Sequence, residues 1–260
     1  MLPLETLAVA AARAAGNFIM RNLDRADQLT VARKGRNDFV SEVDRGAEAE
    51  IISIIRKAYP DHAVLAEEGG ASGSHDFVWI IDPLDGTTNF LHRFPHFAVS
   101  IGVQFQGKMQ HGVIYAPCTQ DLYVANRGSG AMLNSRKIRV SKVSTLEDSL
   151  VGTGVPIRAG ANLDVYLPQL RTIVEKTSGV RRAGSAALDL AYVACGRLDA
   201  FWELNLKPWD IAAGVLLIEE AGGIVSELYG ADDVMKTGNI LAANPKLHAL
   251  TAPLLRMSER

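Results

Sequence analysis

The feature that most constrains this chain is an apolar run, Phe77-Val78-Trp79-Ile80-Ile81, that stops abruptly at Asp82 and continues as Pro83-Leu84-Asp85-Gly86-Thr87-Thr88-Asn89. Such a run, bounded by turn residues, reads as a buried strand, and a buried strand needs layers packed over it. Pro83 fixes the local φ and Gly86 permits a tight turn, so Asp82, Asp85 and the Leu84 carbonyl can be aimed at one point. Hard carboxylate and carbonyl oxygens suit magnesium. The amides of Gly86, Thr87 and Thr88 follow at once, and amides at a turn or helix start suit phosphate oxygens. A plain Asp-Pro-x-Asp-Gly surface turn is the competing reading. The apolar run before it and the Gly-Thr-Thr after it favour a site.

The rest of the chain supplies the layers. Leu4, Leu7, Ala8, Ala11, Ala14, Ala15, Phe18 and Ile19 recur at helical spacing. A basic, turn-prone stretch, Arg33-Lys34-Gly35-Arg36-Asn37-Asp38, separates this helix from a second one running from Asp44 to about Tyr59. Ala63 to Ala66 reads as a strand, Gly69 to Ser74 as a mobile loop, and Phe97–Phe105, Gly112–Tyr115 and Leu122–Ala125 as an antiparallel meander. Beyond about Leu150 the expected elements are helices at 163–176, 185–195 and 210–221, strands at 198–203, 224–227 and 240–243, and a final helix. The reading is of a mixed α/β (α+β) fold in two lobes, 1–150 with helices on an antiparallel sheet and 151–260 as an α/β lobe, joined without a flexible tether.

Further carboxylates gain meaning from the Asp82 turn. Glu67 and Glu68 follow a strand; alone they read as a solvated strand end, but beside Asp82 they would join a cluster whose repulsion calls for a cation. Asp44 and Asp38 are weaker, and Asp44 reads more readily as the N-cap of the second helix than as a ligand. Asp210, after Pro208-Trp209, also has the sequence of an N-cap, and Glu203 lies seven residues before it at a strand end.

Bulk properties exclude several functions. A formal net charge of -2 offers no global attraction to nucleic acid or an anionic membrane, so an anionic substrate must be held locally. Cys118 and Cys195, the two cysteines, sit far apart in apolar settings and read as small buried hydrophobes of a reducing compartment. No run reaches the roughly 18 apolar residues of a membrane span, and Arg13 and Glu5 break any resemblance to a signal peptide. A cytoplasmic protein is expected.

Taken in order, these motifs resemble the inositol monophosphatase family. Asp82-Pro-Leu-Asp-Gly-Thr-Thr-Asn resembles its first signature, and Trp209-Asp210-Ile-Ala-Ala-Gly through Glu219-Glu220-Ala-Gly-Gly its second. Glu67-Glu68, Gly130-Ala-Met-Leu-Asn and Gly184-Ser-Ala-Ala-Leu-Asp fall between them as expected. Lys34-Gly35 and Asn37-Asp38-Phe39-Val40, with Asp44, look most like the bacterial SuhB-type branch. The resemblance implies a layered αβαβα sandwich, a homodimer and a lithium-sensitive magnesium site. It implies one magnesium on Glu67, Asp82 and the Leu84 carbonyl, a second on Asp82, Asp85 and Asp210, and a weaker third on Glu67 with waters. Thr87 paired with Glu67 would orient an attacking water. The phosphate would lie on Gly86, Thr87 and Thr88, and the substrate against Asp85, Arg181, Gly184, Ser185, Ala186, Glu203 and Asp210. Ala66 and Gly69 depart from the family pattern, in ways that bear on loop mobility more than on ligation.

The activity so implied is hydrolysis of myo-inositol monophosphate or a related small polyol phosphate by direct water attack. Fructose bisphosphatases, 3′-phosphoadenosine phosphatases and histidinol-phosphate phosphatases share the metal cluster; Glu203 and Gly184-Ser-Ala favour a polyol over a nucleotide, for which no aromatic platform is evident. A reading of another class is regulatory: SuhB-type proteins are associated with transcription antitermination through RNA polymerase and a Nus factor, without direct nucleic-acid binding expected here. Arg181-Arg182 would then serve a dimer or partner interface, or stand as a solvated strand end.

Overall fold

Side chains alternate between two cores along the central strand: Trp79 and Ile81 enter one, Ile80 the other. That period of two is what a strand buried on both faces demands. The computed structural model describes residues 3–25, 31–35, 38–156, 163–231 and 233–257. The elements of the first half are α1 (Leu4–Leu23), β1 (Val31–Gly35), β2 (Asp38–Ser41), α2 (Glu42–Ala58), β3 (Ala63–Ala66), β4 (Gly70–Ser72), β5 (Phe77–Asp85), α3 (Thr87–Leu91), β6 (Ala98–Phe105), β7 (Lys108–Ala116), β8 (Asp121–Asn126), β9 (Gly130–Leu133) and β10 (Arg136–Lys137). The second half adds β11 (Leu150–Thr153), α4 (Leu163–Lys176), β12 (Gly179–Arg181), α5 (Ala186–Ala194), β13 (Ala200–Glu203), α6 (Pro208–Glu220), β14 (Ile224–Glu227), α7 (Val234–Thr237), β15 (Ile240–Ala243) and α8 (Pro245–Met257).

An eight-stranded sheet in the order β10-β9-β8-β7-β6-β5-β3-β4 and a five-stranded sheet in the order β12-β11-β13-β15-β14 form two of five layers. The amphipathic faces of α1 and α2 (Leu7, Ala8, Ala11, Ala15, Ile19, Ala47, Ile51, Ile55) cover the outer face of the large sheet. Between the sheets lie α5 and α6, and Ile211 to Ile218 of α6 is buried all round, as a helix sandwiched between two sheets must be. On β13, Phe201 faces this middle layer while Ala200 and Trp202 face outward, towards Tyr166 and Ile173 of α4 and Leu247 and Leu255 of α8. The stacking is αβαβα, as the family resemblance implies.

Close approach in the middle layer depends on Gly112 of β7. A Cβ there would meet Ala213 O at 2.8 Å and Ala213 Cα at 3.1 Å, so the α6 backbone rests directly on the sheet. This contact sets the height at which the first turn of α6, with Asp210, meets the end of β5.

Several expectations need correction. Gly69–Ser74 is not wholly loop: β4 pairs antiparallel with β3 at the sheet edge. The basic stretch after α1 forms a hairpin, with Val31 opposite Ser41; Arg36 and Asn37 at its tip lie outside the described residues, as do the side chains of residues 31–35 and 38–40. Asp44 is not the N-cap of α2. Ser41 is, and Asp44 stands three residues into the capping box, its Oδ2 accepting from the Ser41 N–H at 2.7 Å. Asp210 is likewise three residues past the cap Lys207, whose N–H it accepts at 2.7 Å.

Candidate active site and metal centre

The parallel pairing of β3 with β5 sets Ala66 opposite Ile81. β3 ends there while β5 runs on to Asp85, and the Glu67 N–H donates to Ile81 O at 3.1 Å, which puts Glu67 beside Asp82. On the other flank Asp82 pairs with Ser100 of β6, whose hydroxyl donates to Trp209 O at 3.3 Å. That bond ties the start of α6 to the strand neighbouring Asp82. Carboxylate oxygens of Asp82, Asp85 and Asp210 consequently lie within 4.8 Å of one another. The strand-to-turn geometry is held internally: the Leu84 N–H donates to Asp82 Oδ1 at 3.0 Å, and Gly86 takes φ 97°. A side chain at Gly86 would be strained by that φ and would press on His96 O at 3.0 Å.

These carboxyls repel one another in a dry place. Asp82 is 2 % exposed, and burial, followed by the charges of Glu67, Asp85 and Asp210, holds it well above the usual carboxylate range. Burial also pushes Asp85 up to about 6, against the lowering effect of its hydrogen bonds to Ser185 and Ala187. The donor set is oxygen alone, from three separate elements, and its mutual repulsion is relieved by a hard divalent cation. The residues fit magnesium.

Asp85 also caps α5. Its Oδ2 accepts the Ser185 hydroxyl at 2.5 Å and the Ala187 N–H at 2.7 Å, where the positive end of the helix favours a carboxylate. Ser185 in turn caps α5 through the Leu188 N–H. Asn89 clamps the same junction: its Nδ2 donates to His96 O at 2.7 Å and to Ala183 O at 2.9 Å, locking the Gly184 loop against the Asp82 turn. The first N–H groups of α3, on Thr87 and Thr88, stand where helical geometry supplies no acceptor.

The family resemblance pairs Thr87 with Glu67, whereas the hydrogen-bond acceptor of Thr87 in the structure is Asp44. The Thr87 hydroxyl donates to Asp44 Oδ1 at 2.8 Å and lies 3.2 Å from the Leu84 carbonyl oxygen. Asp44 is buried, which raises its pKa although Ser41 and Thr87 pull it down. The capping-box position that anchors Asp44 was legible as Ser41-x-x-Asp44; its reach to Thr87 was not. Ala186 begins α5 beside Asp85, and Glu203 ends β13. Arg181 is exposed on β12, its Nη1 turned to Val180 O, and is not brought to the carboxylate cluster. Its neighbour Arg182 is the arginine whose charge reaches Asp189 of α5. In the second signature, Glu220 has a structural role, each carboxylate oxygen accepting an N–H, from Gly128 and Gly130, at 2.7 Å.

Comparison with known proteins agrees with this architecture. Nus factor SuhB of Pseudomonas aeruginosa is 51% identical over 252 residues, covering 95% of this chain and 93% of that one. The crystal structure of extragenic suppressor protein suhB from Bartonella henselae superposes with a TM-score of 0.93 at 45% identity, covering 96% of this chain and 97% of the other. The inositol monophosphatase from Anabaena gives 0.86 at 40% identity, covering 98% and 95%. A sequence profile of the inositol monophosphatase family matches residues 1–260, and the chain belongs to that family.

Proposed function

We propose that this protein is a magnesium-dependent phosphomonoesterase acting on myo-inositol monophosphate or a closely related small polyol phosphate. The observation that carries the reading is the convergence of Asp82, Asp85 and Asp210 within 4.8 Å, with the charge of Glu67 reaching Asp82. Glu67, Asp82, the Leu84 carbonyl, Asp85 and Asp210 would hold two magnesium ions, with a weaker third on Glu67. Bound cations offset the charge of the phosphate dianion and the charge that builds on the attacking and departing oxygens.

The chain's own groups do the remaining work. The Thr87 hydroxyl donates its hydrogen bond to Asp44, so its oxygen presents lone pairs that can accept from a water and hold it in line. Asp44, raised by burial, is a better proton acceptor than a solvated carboxylate. The amides of Gly86, Thr87 and Thr88 hold the non-bridging phosphate oxygens as charge shifts among them. Asp85, Ser185, Ala186 and Glu203 line the polyol side. Phosphate release from inositol 1-phosphate tests the reading: it should require magnesium and fall with lithium. Turnover undiminished by a chelator would end it.

A second reading is favoured by the 51% identity to a protein named Nus factor SuhB. The chain would also associate with the transcription machinery through its surface. An Asp82→Asn variant that still restores antitermination in a strain lacking the native protein would separate that role from catalysis; loss of both functions would join them.

A further inference from the structure

Gly154 follows directly on β11, whose register with the parallel strand β13 sets Gly152 opposite Phe201 and Thr153 opposite Trp202. One step further, where both strands end, Gly154 comes level with Glu203. The two residues therefore sit side by side beyond the carboxyl ends of adjacent parallel strands, the edge at which α/β sheets present ligand contacts.

Gly154 is buried, and its φ lies outside the left-handed region, so no backbone strain calls for glycine there. What glycine supplies there is room. A Cβ on Gly154 would overlap Glu203 Cδ and both carboxylate oxygens, so the carboxyl group packs directly against the bare Cα. Two residues earlier on the same face, a Cβ on Gly152 would meet Leu198 Cδ1 at 2.8 Å and Phe201 Cδ2 at 3.2 Å, with Asp189 Cγ 3.7 Å away. This face of β11 is thus a floor without side chains on which two carboxyls rest, Glu203 over Gly154 and Asp189 beside Gly152. The Asp189 carboxyl is buried and feels the charges of both Glu203 and Asp85.

We propose that Gly154 is a specificity-determining position, the seat that fixes the Glu203 carboxylate in the pose from which it accepts hydrogen bonds from the hydroxyls of a polyol phosphate. This rests on the reading of Glu203 as a hydroxyl contact. An ionised carboxylate is purely an acceptor, and a site built to bond hydroxyls discriminates against esters that lack them only while its acceptor is correctly placed. Gly154 touches no substrate; it is a positioning residue acting through Glu203.

The test uses the full chain and two esters, inositol 1-phosphate and p-nitrophenyl phosphate, which has no hydroxyl to offer. The readout is the ratio of their kcat/KM values at saturating magnesium. Gly154→Ala should lower this ratio ~10-fold or more, the scale of a lost hydrogen bond to a charged group, and Glu203→Ala should do the same. The two together should cost no more than either alone, since one acts through the other. Glu203→Asp, which withdraws the carboxylate from its seat without adding bulk, should repeat the Gly154→Ala pattern and serves if the alanine variant does not fold. A wild-type ratio in Gly154→Ala or Glu203→Asp with a lowered ratio in Glu203→Ala overturns the seat. So does a Gly154→Ala loss that persists undiminished in the Glu203→Ala background. A wild-type ratio in Glu203→Ala overturns the hydroxyl-contact reading itself, while leaving magnesium-dependent hydrolysis as a separate result.

Discussion

The Thr87 hydroxyl donates to Asp44 across 43 positions of sequence at 2.8 Å, joining the turn after β5 to the first turn of α2. Asp44 is fully committed by that contact: Oδ1 takes Thr87 while Oδ2 takes the Ser41 N–H at 2.7 Å and the Ser41 hydroxyl at 2.5 Å. An asparagine has one oxygen and cannot serve both. Asp44→Asn should therefore lower kcat by ~10²-fold, the lower range for loss of an acid–base partner. Stability should fall by about 1 kcal/mol, as for a lost helix cap. Thr87→Ala should match the kinetic loss without the cap penalty. Steady-state kinetics with denaturant unfolding checks both, and a kinetic loss in Asp44→Asn with none in Thr87→Ala would break the pair.

Asp82 feels the charges of Glu67, Asp85 and Asp210, and its removal should act in opposite directions on the two forms of the protein. On the proposed metal assignment Asp82→Asn deletes a shared ligand, so turnover should drop at least ~10³-fold, about 4 kcal/mol of barrier. The same change removes a buried charge from among Glu67, Asp85 and Asp210, so the cation-free variant should melt higher than the cation-free wild type. Calorimetric magnesium titration together with melting curves decides it; near-normal turnover at saturating magnesium would contradict the assignment.

How much of this was legible in the sequence depended on how local the cause is. The meander β6–β8 could be read because alternation and the Gly107-Lys108 turn both lie within it, and the α4, β14 and β15 boundaries coincide with the expected ones. Gly70-Ala71-Ser72 carries no strand signal of its own; it is β4 because β3 offers it an open edge. The N-cap expected at Asp44 falls three residues earlier, at Ser41; that Ser41 orients Asp44 onto Thr87 and Ser185 holds Asp85 at α5 depends on segments 43 and 100 residues distant. Gly154 gives no signal at all, since its importance is an absent side chain opposite a strand it does not adjoin in sequence.

The raised carboxyls predict a pH dependence with a definite sign. Unfolded aspartate titrates near ~4, and Asp85 in the folded chain near about 6; Asp82 is displaced the same way. Between those values the folded, cation-free protein binds more protons than the unfolded chain, so its stability is greatest below the unfolded pKa and declines as pH rises through the folded one. Magnesium needs the ionised carboxylates, so its apparent affinity should rise across the same interval and level off above it. Melting curves with chelator and with magnesium, taken from pH 5 to 8, should show the stabilisation by magnesium growing with pH. A cation-free melting temperature that climbed over this range, with a constant magnesium increment, would refute the coupling.

The two acids of the second signature should separate cleanly. Glu219 meets Arg127 at 3.3 Å with both side chains 43% exposed, and an ion pair so placed contributes ~0–1 kcal/mol. Glu220 instead binds the Gly128 and Gly130 amides, each at 2.7 Å, and so fastens the β8–β9 turn to the end of α6. Glu220→Gln leaves one of those amides facing an NH2 group, and the loss should be ~0.5–1.5 kcal/mol, the net worth of one hydrogen bond where water can reach the freed amide. Neither acid reaches the carboxylate cluster, so magnesium affinity should be unchanged in both variants. Denaturant unfolding and calorimetry read the two effects independently. If Glu220→Gln weakened magnesium binding while leaving stability intact, the acid pair would belong to the metal centre rather than to the scaffold that supports it.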